Sequence, residues 1–147
     1  MGLTEEVLYT KSSQELTSIL YQGCLKKLEL AIKAIEDKDY LRANYILQRV
    51  NDILYRLGAG LNYDAGVIAY QLEALYNYMA DKVIEANLKK SIPPLKEVLV
   101  ILNIIADAWK VACEKNPTVA ASQFQKLRQS YEQDFMPYDK PGFDLTE

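Results

Sequence analysis

Four long segments of this chain place apolar residues alternately three and four positions apart, as in Ala43, Leu47, Val50, Leu54, Leu57 and Leu61. That spacing belongs to helices that each bury one face against other helices. No run alternates apolar and polar residues convincingly with period two, so no sheet is expected. The first segment opens with a capping box, Ser12 to Glu15, and is expected to run to about Asp37. Asp39 is the N-cap expected for the second, whose last turns Gly58 and Gly60 weaken before "LNYDAG" turns the chain. The third carries Ala69, Leu72, Tyr76, Met79, Val83 and Ala86. Ser91 before "IPP" closes it and opens the fourth, because proline is tolerated in a first turn but not in mid-helix. The fourth stripe is Leu95, Val98, Leu102, Ile105, Trp109 and Ala112.

Short links make sequential helices antiparallel. The expected fold is therefore all-α, an antiparallel up-down four-helix bundle over residues 12–115, preceded by an N-terminal arm, 1–11. A shorter fifth helix is expected over 116–135, with Asn116 as cap, Pro117 at its first position, and Ala120, Phe124, Leu127 and Tyr131 in line. Residues 136–147 carry two prolines and little pattern and are expected to be a mobile tail.

Chemistry is limited by what the 147 residues contain. There is no histidine, which removes Ser-His-Asp and Cys-His catalysis, phosphohistidine transfer and Glu-x-x-His di-iron sites. Cys24 and Cys113 form no CxxC pattern and sit among apolar residues, as reduced core thiols do. No glycine precedes a GK[ST] signature, and the carboxylates scatter over polar faces. No metal and no cofactor is expected, and the chain reads as a binding protein, not an enzyme. Its net charge of -3 lacks the basic footprint of a nucleic-acid or anionic-lipid binder. "MGLTEEVLY" has neither the basic region nor the apolar core of a signal peptide, and "VLVILNIIADAWKVAC" is broken by Asn103, Asp107 and Lys110. A cytoplasmic protein without membrane insertion is expected.

The helices are unequally apolar. In the second and third, the apolar residues fill an arc of about 140°, which suits one place in a bundle. In the first, Leu16, Leu20, Gly23, Cys24, Leu28, Ala31 and Ile35 are joined by Tyr21, Leu25 and Ile32, widening the arc to about 240°. In the fourth, Val100, Ile104 and Val111 lie well away from the Leu102 and Trp109 line. Large contiguous apolar patches rarely stay in water. Three covers are open: the chain's own fifth helix and N-terminal arm, a second copy, or an amphipathic partner segment laid in a groove. Of the 11 tyrosines, Tyr45, Tyr55, Tyr70 and Tyr78 fall off the core stripes, where a ring with a polar tip suits a recognition surface.

"TKSSQELTSILYQGCLKKLELAI" resembles the first helix of the FliS flagellin-export chaperones, T-x-S-P-E-E-L, a spacer, then L-Y-D-G-A-L, at Thr10, Ser12, Glu15, Leu16, Leu20, Tyr21, Gly23 and Leu25. "GVIAYQLEALYNYMADKVIEANLKK" is similar to the family's third helix at Gly66, Ala69, Leu72, Leu75, Tyr76, Tyr78, Met79, Ala86 and Asn87, and Trp109 falls where the family has a late tryptophan. Ser13 and Gln22 replace the usual proline and aspartate, and the tail after Trp109 is longer than is typical. The resemblance implies capture of the C-terminal disordered segment of flagellin, so that it does not polymerise before export, with delivery to a component of the export gate.

Gly23 costs about 1 kcal/mol against Ala within a helix. Its lack of a side chain lets another backbone approach, either a neighbouring bundle helix or the bound segment. The expected partner contacts are Tyr21, Gly23, Leu25 and Ile32 on the first helix, Val100, Ile104 and Val111 on the fourth, and Tyr70 and Tyr78 as an extension on the third. Tyr21 and Leu25, at the outer edge of the arc, are favoured over Leu20 and Cys24. The reading from a different class is a helical module that dimerises through the same surplus surface, or serves as an adaptor, without an export role.

Overall fold

The computed structural model describes residues 5–115, with side chains from 13 to 114. They form four helices, α1 (Glu5–Glu36), α2 (Tyr40–Ala59), α3 (Val67–Lys89) and α4 (Pro93–Lys115), and no strand occurs among the described residues. The fifth helix and tail expected after Asn116 lie outside them.

The start of α1 differs from expectation. It begins at Glu5, so Ser12 lies within the helix and residues 5–11 are its first turns. No glycine or proline interrupts the chain from Leu3 to Gln22. At its other end Lys38 takes a left-handed conformation, φ 60°. Asp39 then accepts a bond from the Arg42 amide at 3.3 Å, capping α2 as its sequence position predicts. The α1–α2 link is thus a tight hairpin. Between α2 and α3 a single 3-10 turn, Tyr63–Ala65, follows Asn62, whose side chain accepts from the Asp64 amide. Gly66 leaves the turn at φ 82°, where an L side chain would be strained. Pro93 opens α4 at the position that needs no amide donor.

Each helix packs on two others: α1 and α3 both contact α2 and α4. The stripes read from spacing are the buried ones in α2 and α3, apart from half-buried Leu72; Leu61, expected on the second stripe, is half-buried and lies past the end of α2. In α4, Leu95, Val98 and Leu102 are fully buried, Ile105 and Trp109 half-buried, and Ala112 near the end is exposed. Cys24, Leu28 and Ala31 complete the centre from α1.

One polar pair crosses this apolar interior. Tyr21 of α1 and Tyr76 of α3 are 3% and 4% exposed, with their hydroxyls 2.6 Å apart. Trp109 meets the Tyr21 ring edge-on at 6.5 Å, and its indole N–H donates to Ser18 Oγ at 3.0 Å. Burial pushes the pKa of both phenols up, and with them the Cys24 thiol, from 9.0 to about 12.

Two outcomes follow. Tyr76→Phe leaves the Tyr21 hydroxyl buried without its partner and is expected to cost about 1–3 kcal/mol in urea denaturation. The Tyr21→Phe/Tyr76→Phe pair should cost less than the two single losses combined. The folded protein also holds protons on Cys24 and the phenols that the unfolded chain releases, so stability is complete below pH 9 and falls as pH rises toward about 12. Thermal melting against pH checks this, and Cys24→Ala should make the fall shallower.

Candidate functional site

The outer surface of α4 is built from a line of aliphatic side chains. Val100, Ile104 and Val111 are 60%, 64% and 46% exposed. At 100° per residue they fall within about 40° of one another, directly opposite the buried Leu102. Glu97 borders this line and accepts a bond from the Tyr78 hydroxyl at 2.5 Å, with the Lys82 ammonium 5.5 Å from the centre of the Tyr78 ring. The glutamate beside it raises the pKa of the Tyr78 phenol. Tyr78 is therefore fixed at the edge of the α4 surface. Tyr70 is also exposed but belongs elsewhere, its ring 4.9 Å from that of Tyr63 in the α2–α3 link.

On α1 the expected contacts are redistributed. Tyr21 is buried, because its polar tip finds Tyr76 inside the bundle and needs no water. Leu25 and Ile32 are half-buried and packed on the core, since the arc they extend faces inward. Among the described side chains of α1 the exposed large apolar residues are instead Leu16, Ile19 and Leu30, at 55%, 64% and 39%. Leu16 was expected on the core stripe. With 32 residues α1 is a rod of about 48 Å, against about 30 Å for the 20 residues of α2. The short link aligns them at the other end, so α2 reaches back along α1 only to about residue 17. Leu16 lies at that limit, whereas Ile19 is exposed because at 100° per residue it points directly away from the buried Leu28.

Leu16, Ile19, Gly23 and Leu30 fall on one line of α1 with the three-and-four spacing of a helix seam. That spacing was the available signal for Ile19 and Leu30. A methyl group placed on Gly23 would meet nothing within 4 Å, so no neighbouring helix of the bundle requires this glycine. The close approach expected of a bundle neighbour is absent because the α1 face bearing Gly23 opens outward. Two shallow depressions meet at Ser18 and Gln22. One reaches Trp109, Ala106 and Lys110 on α4, and the other reaches Ile19, Gly23 and Lys26.

Among the described residues no group of three His, Cys, Asp or Glu is placed to hold a metal ion. Among them, too, no helix is long and apolar enough to cross a membrane. What the surface offers is aliphatic side chains, aromatic edges and a bare stretch of backbone, the means of gripping a polypeptide.

Residues 3–116 match the family model described as flagellar protein FliS. Over 105 residues the chain is 37% identical to the flagellar secretion chaperone FliS of Bacillus subtilis strain 168, covering 71% of this chain and 78% of that one. It is 32% identical over 108 residues to the flagellar secretion chaperone FliS of Salmonella typhimurium strain LT2, covering 72% and 80%. To that of Escherichia coli strain K12 it is 30% identical over 108 residues, covering 72% and 79%. The chain belongs to the FliS family, a family of flagellar secretion chaperones and not of enzymes.

Proposed function

We propose that this chain is a cytoplasmic export chaperone that binds the C-terminal segment of flagellin on the outward apolar lines of α1 and α4, and presents it to a component of the flagellar export gate. In this reading the described helices run up, down, up and down as an antiparallel bundle, which their pairwise packing and short links support. The observation that carries the proposal is the exposed Val100, Ile104 and Val111 line beside a family membership in secretion chaperones. A segment of flagellin that is disordered before assembly folds its apolar stripe against these lines instead of against another flagellin.

Magnitudes favour a guest that reaches both helices. Three half-exposed aliphatic residues covered on α4 alone would contribute about 3 kcal/mol. Association costs at least about 4 kcal/mol, and ordering the segment costs about 2–5 kcal/mol more. Adding Leu16, Ile19 and Leu30 on α1 and the edge of Tyr78 raises the covered area enough to offset these costs. Gly23 lies in the middle of the α1 line, where its missing side chain admits the guest's backbone. Leu25, Ile32 and Tyr70 are secondary contacts in this reading, and Tyr21 supports the surface from beneath.

Ile104→Asp is expected to leave helicity and melting nearly unchanged while abolishing flagellin binding in calorimetry; Leu102→Asp should unfold the bundle. Unfolding by Ile104→Asp would place that face in the core. Gly23→Ala separates stability from binding. With open space for the methyl, it should stabilise the helix by about 1 kcal/mol, yet weaken flagellin binding. Unaltered affinity would remove Gly23 from the surface. Light scattering addresses the dimerising-module reading: the chaperone is monomeric alone and forms a one-to-one complex with flagellin, whereas concentration-dependent dimers with no flagellin complex would overturn the proposal.

A further inference from the structure

The outer face of α2 is unlike the rest of the molecule. Three of the chain's four arginines, Arg42, Arg49 and Arg56, stand on it at intervals of seven, all exposed. Interleaved with them are Leu41, Tyr45 and Tyr55 at 82%, 65% and 77% exposure. At 100° per residue the six occupy an arc of about 140°, opposite the buried Val50 and Leu54. Arg49 pairs with Asp52 at 2.7 Å and lies 5.6 Å over the Tyr45 ring. Among the described residues Arg42 and Arg56 have no carboxylate within ion-pair distance. In a chain of net charge -3, this is a local positive strip with the arginine and tyrosine content of an interface centre.

Residues 131–147, "YEQDFMPYDKPGFDLTE", have the complementary composition. They hold five carboxylates, Glu132, Asp134, Asp139, Asp144 and Glu147, against the single Lys140. Phe135, Tyr138 and Phe143 are spaced among them. The family match ends at residue 116, so this segment is outside what the family accounts for. We infer that residues 131–147 dock on the outer face of α2 of the same molecule, their carboxylates on Arg42, Arg49 and Arg56 and their rings on Leu41, Tyr45 and Tyr55.

Charge and length both support this occupant. Guanidinium groups take carboxylates in paired, fork-like hydrogen bonds. The three arginines span about 21 Å along the helix, a distance that about seven extended residues cross. The fifteen residues from Asn116 to Ser130 reach about 50 Å when extended, more than the whole length of α2. Attachment to the same chain gives an effective concentration in the millimolar range, so a modest interface stays occupied. A second copy meeting this face symmetrically would set arginines against arginines, which disfavours it. The docked segment is also kept off the α1 and α4 surface. It leaves that surface open to a guest.

The test uses the full chain and no flagellin, so its outcome is separate from that of the chaperone reading. In two-dimensional NMR, wild type is compared with the variant Glu132→Gln, Asp134→Asn, Asp139→Asn, Asp144→Asn, Glu147→Gln. The side-chain N–H signals of Arg42, Arg49 and Arg56 and the amides of Tyr45 and Tyr55 are expected to shift, with those of Ile104 and Val111 unmoved. Raising salt from about 0.05 to about 0.5 M should move the same wild-type signals in the same direction, because screening weakens exposed ion pairs. The inference is overturned by an unmoved α2 face, by shifts on α1 or α4 instead, or by shifts that vanish on dilution, which would mark docking between copies.

Discussion

A helix of 32 residues packs against helices of 20 to 23, and the exposure of Leu16 on α1 follows from that mismatch. A rod that outruns its neighbour must either turn polar where cover ends or remain apolar and exposed. α1 stays apolar at Leu16, where that cover ends, and at Ile19, which turns away from the core. The bundle's own stability does not require those residues, since the core is already closed by Cys24, Leu28 and Ala31 one turn and more further on. Such exposed aliphatic side chains beyond the core are the surface on which the proposed function rests.

The interior explains how the exposed line can be tolerated. Four helices meet around Met79, Leu102, Leu54 and Leu28, all essentially inaccessible. The Tyr21–Tyr76 hydroxyl pair and the Trp109–Ser18 bond tie α1 to the helices across and beside it. Both phenols keep a partner in a low-dielectric setting, so the pair fixes geometry without leaving an orphaned polar group. Such an interior holds its backbone firmly while the outer lines of α1 and α4 remain uncommitted.

Periodicity made the buried stripes of α2, α3 and most of α4 legible; Asp39 marked the start of α2, and α4 starts at Pro93, two residues after the Ser91 expected to open it. These signals are local, which is why they transfer. The misplacements came from facts that are not local. Tyr21 reads as an edge residue from its angle on the α1 arc, and only the position of Tyr76 on another helix shows that this angle faces inward. Leu16 satisfied the core period but not the core's extent, which depends on where α2 ends. Val100, Ile104 and Val111 could be read directly, because a line opposite Leu102 is outward whatever the neighbours do.

Gly23 shows how local cost and distant benefit separate. An alanine there would strengthen the helix and clash with nothing in the molecule, so folding alone gives no reason for the glycine. Gly66 differs, because its positive φ makes glycine the residue the turn itself needs. A position that is suboptimal for the fold, sterically free, and set among exposed aliphatic residues is what the proposed partner contact at Gly23 rests on. The same logic distinguishes α2, whose outward face carries charge instead of a gap. In the proposed reading one surface takes an apolar stripe and the other takes carboxylates, and their different chemistry separates the two occupants.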